Sequence, residues 1–503
     1  YTKGTALSAG FSLFAFSQQF FGEGTFLSQN LQAQQDLINQ NFNFQDVDEQ
    51  NLFTRDSYGG SIFFTAPLSE FYRKRRFTQF SPVGASYQLS LSSVKDPEGN
   101  SDPNSQTFIP VIYRQPNILT SRVTTTFTYD TRNASIDPTN GRELSAAIAV
   151  AGLFGDVRTY QPTLSYTQFW PIRRKKSPRP EVFGFRIIAG TVGSFAITDK
   201  VKNANSLAFV DGIPIFERYF LGDEFTIRGY NVRSISPIAP VDSFISTRNV
   251  VFAENGAGDP RVVPGLPPQA AITLGTFTGA SGSNVASLPR SFTSVGGDTQ
   301  LLGNFEYRIP IIGDAVSIAD FADIGAAFNI RSKTEQRFSS EFLDDQPFLG
   351  TVGVLPCPRF NQNVPISISS LALCTNPTLA SSAFLSLVAR DNRIVSQGEL
   401  EAAQNGDVNP ITLLPRGFQP VFLRGEAQTN SVVRLSESLF DSIGDYRSSL
   451  GMEVRVQVPV INVPFRLIFA YNPNARANQV IDGFPFFFNE KKEIVRFSVG
   501  RTF

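Results

Sequence analysis

The sequence predicts an all-β protein that crosses a membrane as an antiparallel β-barrel with long outer loops. Three observations lead there. No apolar run among the 503 residues reaches the roughly 18–20 residues of a membrane-spanning helix. Several segments alternate apolar and polar side chains at period two, and their polar faces carry full charges. Short connections alternate with long ones, as in barrels whose turns and loops lie on opposite sides of the bilayer.

In chain order, Arg122–Thr131 sets Val123, Phe127 and Tyr129 on one side. Between 160 and 170, Tyr160, Leu164, Tyr166 and Trp170 oppose Gln161, Thr163, Ser165 and Thr167. From Gln300 to Ile309 the odd positions are Leu301, Gly303, Phe305, Tyr307 and Ile309, and the even ones include Asn304, Glu306 and Arg308. Residues 450–458 place Leu450, Met452 and three valines against Glu453, Arg455 and Gln457. Near the end, Val495, Phe497, Val499 and Phe503 share one face, and Gly500 interrupts the other. A dry sandwich core would not tolerate unpaired charges on its inner face, whereas a wet lumen does. Aromatic runs at Phe20-Phe21, Phe169-Trp170 and Phe486-Phe487-Phe488 read as interfacial girdles.

The connections Asn133–Gly141, Arg173–Pro180, Ile311–Asp314 and Ile461–Pro464 read as periplasmic turns. Residues 196–297 and 329–447 are long, rich in Gly, Pro, Ser and Asn, and read as extracellular. One barrel domain over residues 1–503 accommodates all of these segments, although strand limits between 39 and 120 are ambiguous. The opening Tyr-Thr-Lys-Gly lacks the apolar core of a signal peptide and reads as a mature or trimmed chain.

Composition narrows the function. Lys+Arg and Asp+Glu both total 44, so the net charge is zero and gives no support to nucleic-acid binding. The chain holds no histidine, which removes Ser-His hydrolysis and His-ligated metal sites. A Glu306–Asp323 pair could serve glycoside hydrolysis, but a nearby arginine would depress both carboxyls rather than raise one for acid catalysis. No enzyme, cofactor or metal is expected. Cys357 and Cys374 either close a disulfide, worth about 3 kcal/mol by loop entropy, or remain free thiols.

The segment Phe216–Tyr230 carries the candidate site. Arg228 offers a planar fork of donors to carboxylates, and Gly229 lets the backbone turn beside it. Alternation sets Glu306 and Asp323 on inward faces of neighbouring strands. Arg228 either latches its loop to both, or stays solvated while Glu306 pairs with Arg308 or Arg455.

Taken in order, these segments resemble the BamA-type outer-membrane insertase and translocase superfamily. Asp130-Thr-Arg132-Asn133 followed by Pro138-Thr-Asn-Gly141 is similar to that family's turn motif. Phe220–Tyr230 resembles its signature extracellular loop. Val295–Pro310 and Phe321-Ala-Asp323-Ile-Gly325 resemble the two strands that receive the loop, and Val495–Phe503 the closing strand. Phe20-Phe21-Gly22-Glu-Gly24 looks like the turn after the family's second strand, which would set most of the first strand before Tyr1. The resemblance implies about sixteen strands and upstream POTRA domains outside this chain. It favours the latch of Arg228, Gly229 and Tyr230 on Glu306 and Asp323. It also implies a lateral seam at Phe497, Gly500 and Phe503, through which unfolded outer-membrane clients insert into lipid. Periplasmic chaperones and accessory lipoproteins are the implied partners, in a bacterial outer membrane. A two-partner-secretion or TamA-like translocase, and a passive porin, are the alternatives.

Overall fold

A computed structural model describes residues 7–22, 26–28, 50–71, 81–95, 115–134, 137–173, 180–202, 206–252, 285–287, 291–312, 315–331, 334–339, 343–347, 385–388, 419–457, 464–480 and 486–499. Twelve long strands form the main sheet: β1 Ser8–Gly22, β2 Gln50–Pro67, β3 Pro82–Lys95, β4 Gln115–Asp130, β5 Gly141–Gly155, β6 Thr159–Arg173, β7 Glu181–Thr191, β8 Thr299–Ile312, β9 Val316–Phe328, β10 Arg447–Gln457, β11 Pro464–Tyr471 and β12 Glu493–Val499. Each pairs antiparallel with its neighbours in sequence, an up-and-down meander. The two-residue strand Gly193–Ser194 adds to the edge of β6.

The alternation predicted from the sequence sets this sheet's two faces. Phe11, Leu13, Ile148, Leu164, Leu301, Phe305, Leu450, Met452, Leu467, Phe469, Val495 and Phe497 project outward and are exposed. An apolar surface this continuous requires lipid around it. Asn304, Glu306, Arg308, Asp323, Glu453 and Arg466 point inward and are buried.

The main sheet holds twelve long strands among the described residues, and Gly22 ends the first of these. Ile238–Phe252 and Gln419–Arg434, each long enough to span, instead pair with one another in a separate seven-stranded sheet. Phe20 and Phe169 are not girdle residues. Both are buried on the inner face, where Phe20 stacks on Phe53 and Phe169 lies beneath Arg308. Trp170 does project outward, stacked against Phe183 and Phe185.

Among the described residues the β1–β2 ladder runs over 15 residue pairs, and β12 pairs with β11 from Phe465↔Val499 to Tyr471↔Glu493. Beyond the main sheet, backbone pairs Phe26↔Phe488, Leu27↔Phe487 and Ser28↔Phe486 join the chain after β1 to the chain before β12. Phe497 stacks on Phe465 on the outer surface. Gly500, Phe503, Cys357 and Cys374 lie outside the described residues.

Candidate functional site

The loop between β7 and β8 folds back into the lumen. Its descent is shaped locally. Asp223 accepts hydrogen bonds from the backbone N–H of Phe225 and Thr226, an Asx turn that reverses the chain. Leu221 and Ile235 exchange backbone hydrogen bonds, and Tyr219 does so with Gly297, closing the loop's neck. Ile227, Leu221, Tyr219 and Tyr230 pack with Val192, Leu302 and Ala327 of the wall. A fully buried Ile or Leu contributes about 1.5–3 kcal/mol, so apolar contact seats the loop before any charge is counted.

At the tip, Arg228 is completely buried. Its Nε and Nη2 donate to Asp323 Oδ2 and Oδ1 at 2.7 and 2.8 Å, a bidentate fork. Its backbone N–H donates to the same carboxylate at 3.1 Å. Nη1 reaches Glu453 Oε2 at 3.1 Å and Glu306 Oε2 at 3.3 Å. The guanidinium lies 3.8 Å from the ring centroid of Phe321, which packs over Gly451. A Cβ added to Gly451 would come within 2.6 Å of that ring. Burial opposes the charge, yet Asp323 beside it, then Glu306 and Glu453, hold the guanidinium above its ordinary range.

Arg228 is not solvated, yet Glu306 also holds both other arginines that the sequence offered it. Arg308 Nε donates to its Oε1 at 2.5 Å and Arg455 Nη2 to its Oε2 at 2.7 Å, while Arg228 shares the latter oxygen. The principal partner of Arg228 is Asp323. Glu453 is a third carboxylate that the sequence reading left outside the latch. It accepts from Arg455 Nε and Arg466 Nε, each at 2.6 Å, as well as from Arg228. Asn304 adds a neutral clamp, donating to Asp323 Oδ1 at 2.8 Å and to the Thr226 carbonyl at 2.6 Å. Buried charges at such density are sustained because most of their donors and acceptors are matched.

Gly229 and Tyr230 extend the contact toward the last strands. Gly229 adopts φ +87°, and a Cβ there would sit 2.6 Å from Ala470 Cβ and 2.7 Å from Asn472 Oδ1. Its carbonyl accepts from Asn472 Nδ2 at 2.6 Å. Replacing Gly229 with Ala is expected to shift the tip off the wall, seen as faster proteinase K cleavage of 216–235 in folded protein. Wild-type protection would contradict this. The Tyr230 hydroxyl donates to the Ser448 carbonyl at 3.2 Å, and burial pushes its phenol pKa up. From β12, Arg496 Nη1 donates to the Tyr230 carbonyl at 2.9 Å and Ser498 Oγ to Glu224 Oε1 at 3.4 Å.

The predicted turn motif is intact and coupled to the latch. Asp130 accepts from the backbone N–H, Nε and Nη2 of Arg132 at 2.9–3.0 Å. Gly141 takes φ +104°, where a Cβ would lie 2.2 Å from the Thr131 carbonyl oxygen. Arg308, while holding Glu306, also donates to Asp137 Oδ1 at 3.1 Å and to the Pro138 carbonyl.

A family model described as the Omp85 superfamily domain matches residues 1–364, which hold the loop, the turn, Glu306 and Asp323. The chain belongs to the Omp85 superfamily. It is thus a bacterial outer-membrane β-barrel protein. Glu453, Arg455 and Arg466 lie beyond the matched residues, so this Omp85 barrel completes its latch from strands outside them. Among solved structures, BamA from Haemophilus ducreyi lacking POTRA domains 1–3 is similar at 11% identity with a TM-score of 0.46. That likeness covers 99% of this Omp85 chain and 60% of the other, so the chain spans less than two thirds of that relative's length. No curated protein matches it.

Proposed function

We propose that this barrel is an assembly factor that folds and inserts client proteins into the outer membrane, through a lateral seam between its first and last strands. The observation that carries the reading is the loop itself. A fully buried arginine holds it inside the lumen on three carboxylates, and the same loop grips β12 through Arg496 and Ser498. A passive porin keeps its lumen for solute and needs no such tie to the closing strand. Among the described residues β12 ends the main sheet with β11 as its neighbour, and such an edge offers N–H and C=O groups that can template an incoming strand.

In this account the role needs no catalytic group and no cofactor. Unfolded outer-membrane proteins are the clients, periplasmic chaperones and accessory lipoproteins deliver them, and lipid thinned beside the seam receives them. The test is a disulfide that locks β12 to the strand closing on its free edge, assayed in vesicles for insertion of a model barrel client. Loss of insertion, restored by reductant, is expected. A locked barrel with full activity would refute the seam, and steady high conductance without insertion would favour a porin.

A further inference from the structure

A second charged region lies in the lumen, away from the latch. The loop segment Phe216–Tyr219 meets the inner faces of β2, β3, β4 and β6 around a cavity of about 270 Å³. At roughly 30 Å³ per liquid water molecule, that volume suits a hydrated polar guest rather than a single water. Its lining holds three guanidiniums, Arg55, Arg122 and Arg218, against one carboxylate, Glu217, so the balance is 3 − 1 = +2.

The three cations differ in how far they are committed. Arg218 directs its Nε and Nη2 to the Val295 and Gly296 carbonyls and to Asn329 Oδ1, which commits those two nitrogens away from the cavity. Arg122 pairs with Glu217, whose other oxygen accepts from Thr159 Oγ1 at 3.1 Å. Arg55 makes no salt bridge among the described residues, although the Glu217 charge acts on it from nearby. Its Nη2 reaches Ser92 Oγ at 3.2 Å, and its buried Nε has no partner among them. The Phe216 ring, 3.8 Å from its guanidinium carbon, fixes the plane of the fork. Ser90, Thr120 and Gln88 add polar groups to the same wall.

We propose that this cavity is a binding site for a small oxyanion of the phosphate or carboxylate class, held between the in-plane donors of Arg55 and the guanidinium of Arg122. Planar forks suit such oxygens. Among the described residues the lining contains no aliphatic side chain, so the guest is a free ion rather than the acyl-bearing headgroup of a lipid. Bound beside Phe216 and Glu217, the ion ties the loop to the wall opposite the latch. The proposal does not depend on the insertase reading.

The test titrates the folded full-length protein, in uncharged detergent at constant ionic strength, with inorganic phosphate against chloride. Thermal stability and proteinase K protection of the loop are read together. Saturable protection is expected, weakened at least tenfold by Arg55→Gln, which leaves the Arg122–Glu217 pair intact. Glu217→Gln removes the competing carboxylate and is expected to tighten phosphate binding. Short-chain phosphatidylglycerol at the same concentrations is expected to give no protection. A response equal to that of chloride, one unchanged in Arg55→Gln, or one matched by the lipid would overturn the proposal.

Discussion

Arg228→Ala is expected to release the lumenal loop while leaving the barrel folded. The substitution removes the bidentate partner of Asp323 and strips Glu306 and Glu453 of one shared donor, all in a site without solvent exposure. Breaking a buried pair by removing one member costs about 3–5 kcal/mol, because a charge is left without compensation. At 1.4 kcal/mol per tenfold, the loop's opening equilibrium should move by roughly two to four orders of magnitude. Residues 216–235 should then be cut by proteinase K in folded protein far faster than in wild type. Arg228→Lys should fall between the two, since an ammonium cannot form a planar fork while reaching two further carboxylates. Equal protection in the alanine variant would show that apolar packing of Ile227 and Leu221 holds the loop alone.

Glu453→Gln should damage the barrel wall as well as the loop. This carboxylate accepts from Arg228, Arg455 and Arg466, and Arg455 and Arg466 are neighbours across the β10–β11 ladder. Neutralising it sets two like charges side by side, with an amide N–H₂ turned toward one of them. A loss of about 3–5 kcal/mol is expected on the same grounds, read as a lower midpoint in urea unfolding of the detergent-solubilised barrel. Asp320→Asn, on the outward face of β9, is a matched neutralisation that should leave the midpoint near wild type. A Glu453→Gln barrel as resistant as that control would remove Glu453 from the account.

The contrast between Glu306 and Glu453 shows how far the sequence carries. Arg228, Glu306 and Asp323 were legible because inward parity, a tight turn and the resemblance converged on the same residues. Glu453 has the same inward parity, but its strand follows a connection of more than a hundred residues. Local periodicity fixes a face and not a neighbour. Asn304 was hidden for another reason: as a neutral side chain it gives no charge signal, although it clamps both Asp323 and the loop backbone. Phe169 was misread although its parity was available, since it stands out of phase with Tyr160, Leu164 and Trp170. The segments at 238–252 and 419–434 show that spanning length does not by itself put a strand in the barrel wall.

The central claim is that the loop from Tyr219 to Ile235 is a fixed part of the lumen. Hydrogen exchange of the folded protein in a lipid nanodisc tests it most directly. The amides of Tyr219, Leu221, Arg228 and Ile235 each donate to a named acceptor. They should exchange as slowly as those of β8 and β9, and the amide of residue 228 should become fast in Arg228→Ala. Exchange of these four amides at the rate of an unprotected chain in the wild-type protein would contradict the latch.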